Sequence, residues 1–277
     1  MQKARILSLL SFLVFWSAFT IPSLAQPHEI GLFLGGASYY GDVGKDKMHV
    51  PENTCGGIFF RYNFNRHFSL RANLLHGNIE GADSLSDLPF RYNRNLSFHS
   101  EIYESSIWLE FNFLPHIIGK RGLHSFYVFA GIGGFLFNPK AELNGNWYEL
   151  QPLSTEGQGT SQRPGTEPYS LFSMNIPFGV GYKVNIGRSV CIGLETGFRR
   201  TYTDYLDDVS TTYVDRFVLA SEKGIVAALL SDRSLSGGDN VNVQRGERTN
   251  NDWYVFTGIT VSIKVFDRPE ACHKFMP

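Results

Sequence analysis

The sequence predicts an all-β fold: a transmembrane, antiparallel, up-and-down β-barrel of eight strands, with long extracellular loops and one short loop helix. Three observations lead to this prediction. The N-terminus has the features of an export signal, several segments alternate between apolar and polar residues, and the connections between them are alternately short and long. This combination is typical of outer-membrane barrels, whose strands face lipid on one side and the lumen on the other.

The first of these features is the export signal. Lys3 and Arg5 form a positive n-region, residues 6–19 are apolar, and the segment ends in Ser-Leu-Ala, a small-x-small cleavage pattern. The alternative interpretation is a membrane anchor, for which the apolar run is too short. We therefore expect a signal peptide at 1–25 and a single barrel domain at 26–277.

The composition excludes some functional classes and favours others. The chain carries 25 basic and 26 acidic residues, a balance that gives no support to nucleic-acid binding. No later apolar run is long enough for a membrane helix, whereas aromatic residues reach 14%, which suits strands and membrane interfaces. No motif for nucleotide binding, zinc hydrolysis or serine hydrolysis occurs in a suitable context. We expect no cofactor, no metal, no small-molecule substrate and no enzymatic activity.

Alternation with a period of two identifies the strands. In the clearest segment, Ile176–Ile186, the even positions are apolar and the odd positions are Pro, Gly, Lys or Asn, so each set lies on one face of a strand. The segments are long enough to cross a bilayer at the tilt of a barrel strand. The eight predicted strands are Ile30–Tyr40, Thr54–Phe64, Phe68–Glu80, Tyr103–Phe113, Ser125–Phe137, Ile176–Ile186, Val190–Tyr202 and Trp253–Val265.

The connections favour a membrane barrel over a soluble β-sandwich or lipocalin-like barrel. Short and long connections alternate, which is the asymmetry between periplasmic turns and extracellular loops. An even number of strands then places both termini in the periplasm, together with a tail at 267–277. The short connections lie at 65–66, 115–124 and 187–189, and the long ones at about 41–53, 81–98, 138–170 and 206–252.

Charged residues on the polar faces predict the content of the lumen. The interior of an eight-stranded barrel is just wide enough for side chains, and charges buried there must be paired or strongly hydrogen-bonded. We expect an ion-pair lattice, with Glu195 and Arg199 as partners, rather than a narrow ion path, which is the alternative. The lattice is predicted to comprise Arg61, Arg71, Glu104, Glu110, Lys183, Glu195, Arg199 and Lys264.

The last long connection contains an acidic cluster and a candidate helix. Carboxylates at this density could bind Ca²⁺ or form an acid/base set, but the EF-hand pattern is absent, and a solvated loop with Asx turns is favoured. Asp215 is predicted to cap a helix over 216–232, which Gly224 weakens and which packs on the barrel mouth or binds a partner. The acidic cluster consists of Asp204, Asp207, Asp208 and Asp215.

The three cysteines, Cys55, Cys191 and Cys272, cannot all be paired with one another. Cys191 follows a predicted periplasmic turn and Cys272 follows the last strand, so both are expected on the oxidising periplasmic side. Whether they form a disulfide stays open, because Cys191 is predicted to point into the lumen.

Several strings of residues in and beside the first and last long connections carry a resemblance to a known family. They are residues 36–42 (Gly-Ala-Ser-Tyr-Tyr-Gly-Asp), 203–210 (Thr-Asp-Tyr-Leu-Asp-Asp-Val-Ser), 213–215, 227–229, 231–233, 244–246 and 251–254 (Asn-Asp-Trp-Tyr). Together they resemble the PorG-like outer-membrane proteins of Bacteroidota, a component of the type IX secretion system. The resemblance covers nearly the whole mature chain.

The resemblance implies a non-enzymatic role in protein secretion. The partners it implies, besides outer-membrane lipids, are a periplasmic ring lipoprotein and the protein associated with it. Two alternatives stay open: a surface barrel whose loops bind a ligand, lipopolysaccharide or a host factor, and an outer-membrane enzyme that uses the loop aspartates.

Strand parity suggests where such a periplasmic partner docks. The ten-residue connection 115–124 and the tail 267–277 are the largest surfaces assigned to that side, and the tail departs from barrels that end at a terminal aromatic residue, here Phe266. We predict docking through the basic residues of these two segments, which are Lys120, Arg121, Arg268 and Lys274.

Overall fold

The computed structural model describes residues 28–45 and 51–265. The predicted signal peptide and the tail 267–277 lie outside the described residues, as do Arg268, Cys272 and Lys274. The predictions that depend on them stay predictions.

Nine strands occur in the described residues, and eight of them form the barrel wall. Each of the eight predicted strands is present, although several are longer than the alternation indicated. The strands are β1 (His28–Tyr40), β2 (Asn53–Asn63), β3 (Phe68–Ala82), β4 (Ser97–Asn112), β5 (His124–Leu143), β6 (Asn146–Glu149), β7 (Phe172–Ile186), β8 (Val190–Thr201) and β9 (Trp253–Val265).

The barrel is closed by antiparallel pairing of all eight wall strands. Their order is β4-β3-β2-β1-β9-β8-β7-β5, and β5 pairs with β4 to complete the circle. The two strands β1 and β9 are joined along their whole length, from His28 opposite Val265 to Tyr40 opposite Trp253. Closure leaves no unpaired strand edge in the wall, as a span through lipid requires. The prediction of an eight-stranded up-and-down barrel is confirmed.

The connection predicted as a long loop at 138–170 begins with strand structure instead. β5 continues to Leu143, and the short strand β6 pairs with its last residues. Asn144 and Gly145 form the turn between them, with φ values of 53° and 80°. These angles explain the Asn-Gly pair, because a type I′ hairpin turn needs positive φ at both of its central positions. The loop assignment was therefore wrong for residues 138–149.

The two ends of the barrel differ as the connection lengths predicted. The turn end carries short turns and one longer connection, and the loop end carries the remaining loops. The turn-end connections are 64–67, 113–123 and 187–189, and the loop-end connections are 41–52, 83–96, 144–171 and 202–252.

The helices lie in the loop-end connections. The helix predicted over 216–232 is two helices, because Gly224 has a φ of 99° and interrupts it. Asp215 caps the first of them as predicted, since its Oδ1 accepts a hydrogen bond from the Phe217 N–H at 2.7 Å. No helix of the described residues is long and apolar enough to cross a membrane. The helices are α1 (Pro89–Arg94), α2 (Leu150–Leu153), α3 (Arg216–Lys223) and α4 (Ile225–Ser231).

The outer wall of the barrel is apolar. Leu34 is 67% exposed, Ile132 65% and Leu194 60%, and they belong to a band of apolar side chains on all eight wall strands. In water such a band would far exceed the apolar patches that soluble monomers tolerate, whereas acyl chains solvate it in a membrane. The architecture is therefore that of an outer-membrane β-barrel.

Aromatic rings collect at the turn end of this band. His28 stacks on Tyr62 with ring centroids 4.7 Å apart, and His67 stacks on Phe111 at 6.1 Å. Phe68 packs beside the same Phe111 ring at 5.1 Å. Aromatic girdles mark the membrane–water interface of barrels, so these rings indicate where the turn end leaves the bilayer.

The lipid-facing band predicts that the cost of a charged side chain depends on its position. Leu194 lies mid-strand in β8, whereas Leu235, 59% exposed, lies in a loop. We expect Leu194→Arg to lower the free energy of unfolding in lipid vesicles by about 2–4 kcal/mol, and the control Leu235→Arg by less than about 0.5 kcal/mol. Denaturant titration followed by tryptophan fluorescence measures both values. Equal effects of the two changes would contradict the membrane assignment.

Candidate functional site

The lumen contains a lattice of buried ion pairs in its turn-end half and middle. Seven of the eight predicted lumen residues belong to it, together with Glu29, and each of these eight side chains is at most 3% exposed. Four are carboxylates and four are cations, so the buried charge balances. The carboxylates are Glu29, Glu104, Glu110 and Glu195, and the cations are Arg61, Arg71, Lys183 and Arg199.

Glu110 on β4 is the most connected carboxylate of the lattice. Its oxygens lie 3.0 Å from Arg61 Nε, 3.1 Å from Lys183 Nζ and 3.6 Å from Arg71 Nη1. Arg61 in turn reaches Glu29 Oε2 at 2.6 Å. Strands β1, β2, β3, β4 and β7 are therefore linked through one continuous set of charges.

Two further carboxylates are held by a cation and a tyrosine each. Glu195 lies 2.5 Å from Arg71 Nη1 and accepts a hydrogen bond from the Tyr127 hydroxyl at 2.6 Å. Glu104 lies 3.1 Å from Arg199 Nε, and the Tyr254 hydroxyl donates to it at 2.8 Å. The expectation that Glu195 and Arg199 are partners was therefore wrong. They share a strand, and each is paired with a residue of another strand.

Aromatic rings cover the faces of the guanidinium groups. The Arg71 guanidinium carbon lies 3.8 Å from the Phe59 ring centroid and 4.7 Å from that of Trp108, and the Arg199 guanidinium carbon lies 4.5 Å from the Phe256 centroid. A guanidinium group is weakly hydrated and stacks on aromatic faces. The rings thus stabilise the charges and pack between them.

Glu29 was missed as a lumen residue because it was assigned to the start of the mature chain. The signal that finds it is the alternation in β1, where Ile30, Leu32 and Leu34 face outward, so that Glu29 faces inward. The eighth predicted lumen residue, Lys264, is half-buried and stands opposite Glu29 in the pairing of β1 with β9.

The loop-end half of the lumen is an apolar core. Phe33, Phe135 and Phe256 are each 1% exposed, and Ile79 and Ile102 are fully buried. This core continues without a break into the loops, where Leu206, Val209 and Leu230 belong to the same cluster. The lumen is therefore filled by charge-paired side chains in one half and by apolar side chains in the other.

The loop-end connections form a packed structure, called here the loop platform (residues 41–45, 83–96, 150–171 and 202–252). Arg94 of α1 is one of its two central cations. It makes a bidentate pair with Asp83, with distances of 2.7 and 2.8 Å, and donates to the backbone carbonyls of Asp42 and Arg245 at 2.5 Å each. One side chain therefore links three of the four connections.

Arg245 is the other central cation of the loop platform. Its Nη1 donates to Glu156 at 3.1 Å and to the carbonyl of Asp208 at 2.6 Å. Its Nη2 lies 3.6 Å from the carboxylate of the same Asp208. Arg245 therefore fixes the third connection to the fourth.

The predicted acidic cluster is mostly buried in the loop platform instead of solvated. Asp207 and Asp208 are at most 2% exposed, and Asp204 is 7% exposed. The Asp207 carboxylate lies 2.5 Å from the Tyr39 hydroxyl and accepts the Val43 N–H at 3.0 Å, while Asp208 accepts a hydrogen bond from the Thr155 hydroxyl. The interpretation of these three residues as a solvated loop was therefore wrong.

Burial raises the pKa of these carboxyl groups. The pKa of Asp204 rises to about 8, because of burial and the nearby carboxyl groups of Asp207 and Asp42. The pKa of Asp207 rises to about 7, because of burial and Asp42. That of Asp208 reaches about 6, since burial raises it and Arg245 opposes the rise. The platform therefore takes up protons near neutral pH.

The positions of the four aspartates can be compared with the Ca²⁺ and acid/base interpretations of the cluster. In residues 28–45 and 51–265, no group of three or more His, Cys, Asp or Glu side chains is placed to hold a metal ion. Asp215 lies apart from the other three as the cap of α3. Asp207 contacts the first loop-end connection through Val43, and Asp208 contacts the third through Thr155.

The turn end is covered by the connection 113–123. The Asn185 amide donates to the carbonyls of Ile117 and Lys120 at 2.8 and 3.0 Å, which holds this connection against β7. Lys120 and Arg121 are exposed on it, as docking residues must be. Cys191 is buried below, with its Sγ 3.9 Å from His116 Nε2, and its predicted partner Cys272 is outside the described residues.

The fold and the filled lumen define the class of protein as a small outer-membrane β-barrel whose interior is packed with side chains. The chain belongs to the family DUF6089, described as a domain of unknown function, whose model matches residues 4–215. Comparison with curated proteins gives no significant match.

Solved structures of small barrels are similar to the chain at low identity. Neisserial surface protein A is 10% identical with a TM-score of 0.41, over 86% of this chain and 97% of that one. Ail, the attachment invasion locus protein of Yersinia pestis, in complex with the heparin analogue sucrose octasulfate, is 9% identical with a TM-score of 0.39, over 88% and 100%. The N-terminal β-barrel domain of Pseudomonas aeruginosa OprF is 11% identical with a TM-score of 0.37, over 87% and 98%.

The lattice predicts which charge pairs are energetically coupled. We expect Arg71→Met and Glu195→Met each to cost about 3–5 kcal/mol of unfolding free energy, because each leaves an uncompensated charge in the lumen. The double variant should cost clearly less than the sum, since both charges are then absent. Glu195→Met combined with Arg199→Met is the matched comparison and should show weaker coupling. Stronger coupling for that second pair would contradict the observed pairing.

The raised pKa values predict that the loop platform loosens as the pH rises. Asp204 and Asp207 bind more protons in the folded platform than in the unfolded loops between roughly pH 4 and pH 8, so their contribution to stability is lost as the pH rises through the pKa values of about 7 and 8. Hydrogen exchange of residues 202–252, corrected for intrinsic rates, should show less protection at about pH 9 than at about pH 6. Asp204→Asn should reduce this difference, and the exposed control Asp239→Asn should not. A pH-independent platform would contradict the prediction.

Proposed function

We propose that the protein is a non-enzymatic outer-membrane component of a protein secretion apparatus similar to the type IX system, and that it holds a periplasmic ring complex at the membrane. The observation that carries the proposal is the filled lumen. Four carboxylates, four cations and an apolar core occupy the interior, which suits a barrel that acts as a membrane anchor better than one that conducts solutes.

The family resemblance supports the choice of a secretion apparatus. The strings that carry it supply residues of the loop platform and its contacts with the barrel: Tyr39 and Asp42, Asp207 and Asp208, and Arg245. These residues support the view that PorG-like proteins have a similar loop platform. The platform therefore supports the resemblance itself, and the periplasmic partner is proposed from what that resemblance implies.

The orientation follows from the lengths of the connections. Transmembrane barrels have short periplasmic turns and longer extracellular loops, so we assign the turn end to the periplasm and the loop platform to the outside. Both termini are then periplasmic. This assignment leaves the connection 113–123 and the tail 267–277 as the periplasmic surfaces available to a ring lipoprotein and its associated protein.

The docking surface is best tested by reversing its charge. Lys120 and Arg121 are exposed on a connection that is held in place by Asn185. We expect Lys120→Glu with Arg121→Glu, and separately deletion of residues 267–277, to lower recovery of the ring lipoprotein several-fold, because like charges at an interface disfavour association. Co-purification from native membranes with quantitative mass spectrometry measures the recovery.

The matched control reverses two exposed basic residues of the loop platform, Arg216→Glu with Arg248→Glu. This variant should insert normally and recover the ring at the wild-type level. If all three variants insert and recover the ring equally, docking does not take place at the periplasmic surface and the proposal fails.

A further inference from the structure

The outer wall formed by β3, β4 and β5 carries two adjacent features that the proposed function does not use. The first is a cleft of about 200 Å³ at the loop end, lined by both polar and apolar side chains. Its rim includes Trp147 from β6, Glu142 from β5, His99 from β4 and Glu80 from β3. Trp147 is 57% exposed, and its ring centroid lies 5.8 Å from that of His99. An exposed indole ring thus lies next to acidic side chains and an imidazole, with which it makes a T-shaped contact.

The chemistry of the cleft suits a neutral sugar. The apolar face of an indole ring packs against the C–H face of a pyranose, and carboxylates accept hydrogen bonds from its hydroxyl groups. Glu80 and Glu142 line the cleft, together with Glu52 and Lys45, which form an ion pair with each other. This excess of negative charge disfavours a phosphate headgroup, because like charges repel.

The second feature is an apolar groove of about 500 Å³ in the lipid-facing wall. It exists because two small residues, Ser105 and Gly134, are neighbours across β4 and β5. Larger outward-facing side chains, among them Leu74, Leu136 and Phe172, frame the gap. Inside the lipid band only an apolar group can fill such a groove, and acyl chains are the apolar groups that surround the wall.

The strand register places the cleft directly above the groove. Glu80 stands opposite His99, and four residues closer to the membrane His76 stands opposite Tyr103, at the upper edge of the groove. Four residues span about 13 Å along a strand, which is within the reach of a single lipid molecule. The Tyr103 hydroxyl points toward the cleft side, where it donates to Glu101 at 3.2 Å.

We infer that this wall binds an outer-leaflet glycolipid with a neutral hexose headgroup. The hexose packs on Trp147 and donates hydrogen bonds to the carboxylates of the cleft, while one acyl chain lies in the groove over Ser105 and Gly134. The inference goes beyond the secretion role and depends only on the outward orientation of the loop end.

Native mass spectrometry of the full-length protein in a sugar-free polyoxyethylene detergent tests this inference. The probes are monoglucosyl and monogalactosyl diacylglycerol, with diacylglycerol and phosphatidylglycerol of the same chains, and the free methyl glycosides. We expect one saturable adduct with at least one of the two glycolipids, about tenfold tighter than with diacylglycerol or phosphatidylglycerol. The free methyl glycosides should bind more weakly than the glycolipid, because they do not use the groove.

Four variants separate the two halves of the site. Trp147→Ala should reduce glycolipid binding about tenfold, to the level of diacylglycerol, while Trp147→Phe should retain most of it, because a ring face is kept. Ser105→Leu fills the groove and should weaken glycolipid binding without changing that of a free glycoside. Val261→Leu, on the lipid-facing side of β9 across the barrel from β4, is the matched control and should leave binding unchanged.

Several results would overturn the inference. Equal binding of diacylglycerol and both glycolipids means that the groove holds any lipid. Glycolipid binding that survives Trp147→Ala means that the cleft is not used. A free glycoside that binds as tightly as the glycolipid means that the ligand is a soluble saccharide. None of these results bears on recovery of the periplasmic ring, so this inference and the proposed function fail independently.

Discussion

The narrow interior of an eight-stranded barrel is the constraint on which the rest of this structure depends. Such a barrel has room for side chains but little for water, so a charge placed there must find its partner on another part of the wall. Arg71 on β3 reaches Glu195 on β8 at 2.5 Å, although 124 positions separate them in the chain. Pairing of this kind forms only when all strands stand in one register. The lattice and the closure of the barrel therefore stabilise each other.

The same lack of space explains the glycine content of the strands. A Cβ atom on Gly181 would lie 2.3 Å from the Tyr127 ring, and one on Gly31 would lie 2.2 Å from the Phe59 ring. Both rings contact lumen cations, since Tyr127 lies beside Lys183 and Phe59 beside Arg71. Because glycine has no side chain, the aromatic rings have room to contact the charged groups. Glycine in these strands serves packing rather than phosphate binding or turn formation.

The loop platform, like the lumen, is held together by buried ion pairs and an apolar core. Arg94 and Arg245 are buried and hold carboxylates and backbone carbonyls from several connections, while the apolar core runs from the barrel into the loops. One difference is that the platform carries more carboxyl groups than it has buried cations. Burial and the neighbouring carboxyl groups raise the pKa values of Asp204 and Asp207, whereas each of the four lattice carboxylates has a cation within 3.1 Å. We therefore expect the platform, rather than the paired lattice carboxylates, to respond to pH near neutrality.

Sequence patterns predicted whether a side chain faces the lumen or the lipid, but not which residues it contacts. Period-two alternation identified all eight wall strands and seven members of the lattice. It could do so because the direction of a side chain depends only on its position within its own strand. It gave the wrong partners to Glu195 and Arg199, because contacts across a lumen depend on the register of strands far apart in the chain.

The glycolipid site illustrates the same limit most clearly. Trp147 lies in a hairpin that alternation did not detect, and Ser105 and Gly134 are unremarkable in their own strands. They become a cleft and a groove only when β3, β4, β5 and β6 are placed side by side in one register. The residues of a binding surface on a barrel wall come from several strands. The residue pattern of any single strand therefore does not predict it. Closure is therefore what turns separate residues into a site, in the lumen and on the wall alike.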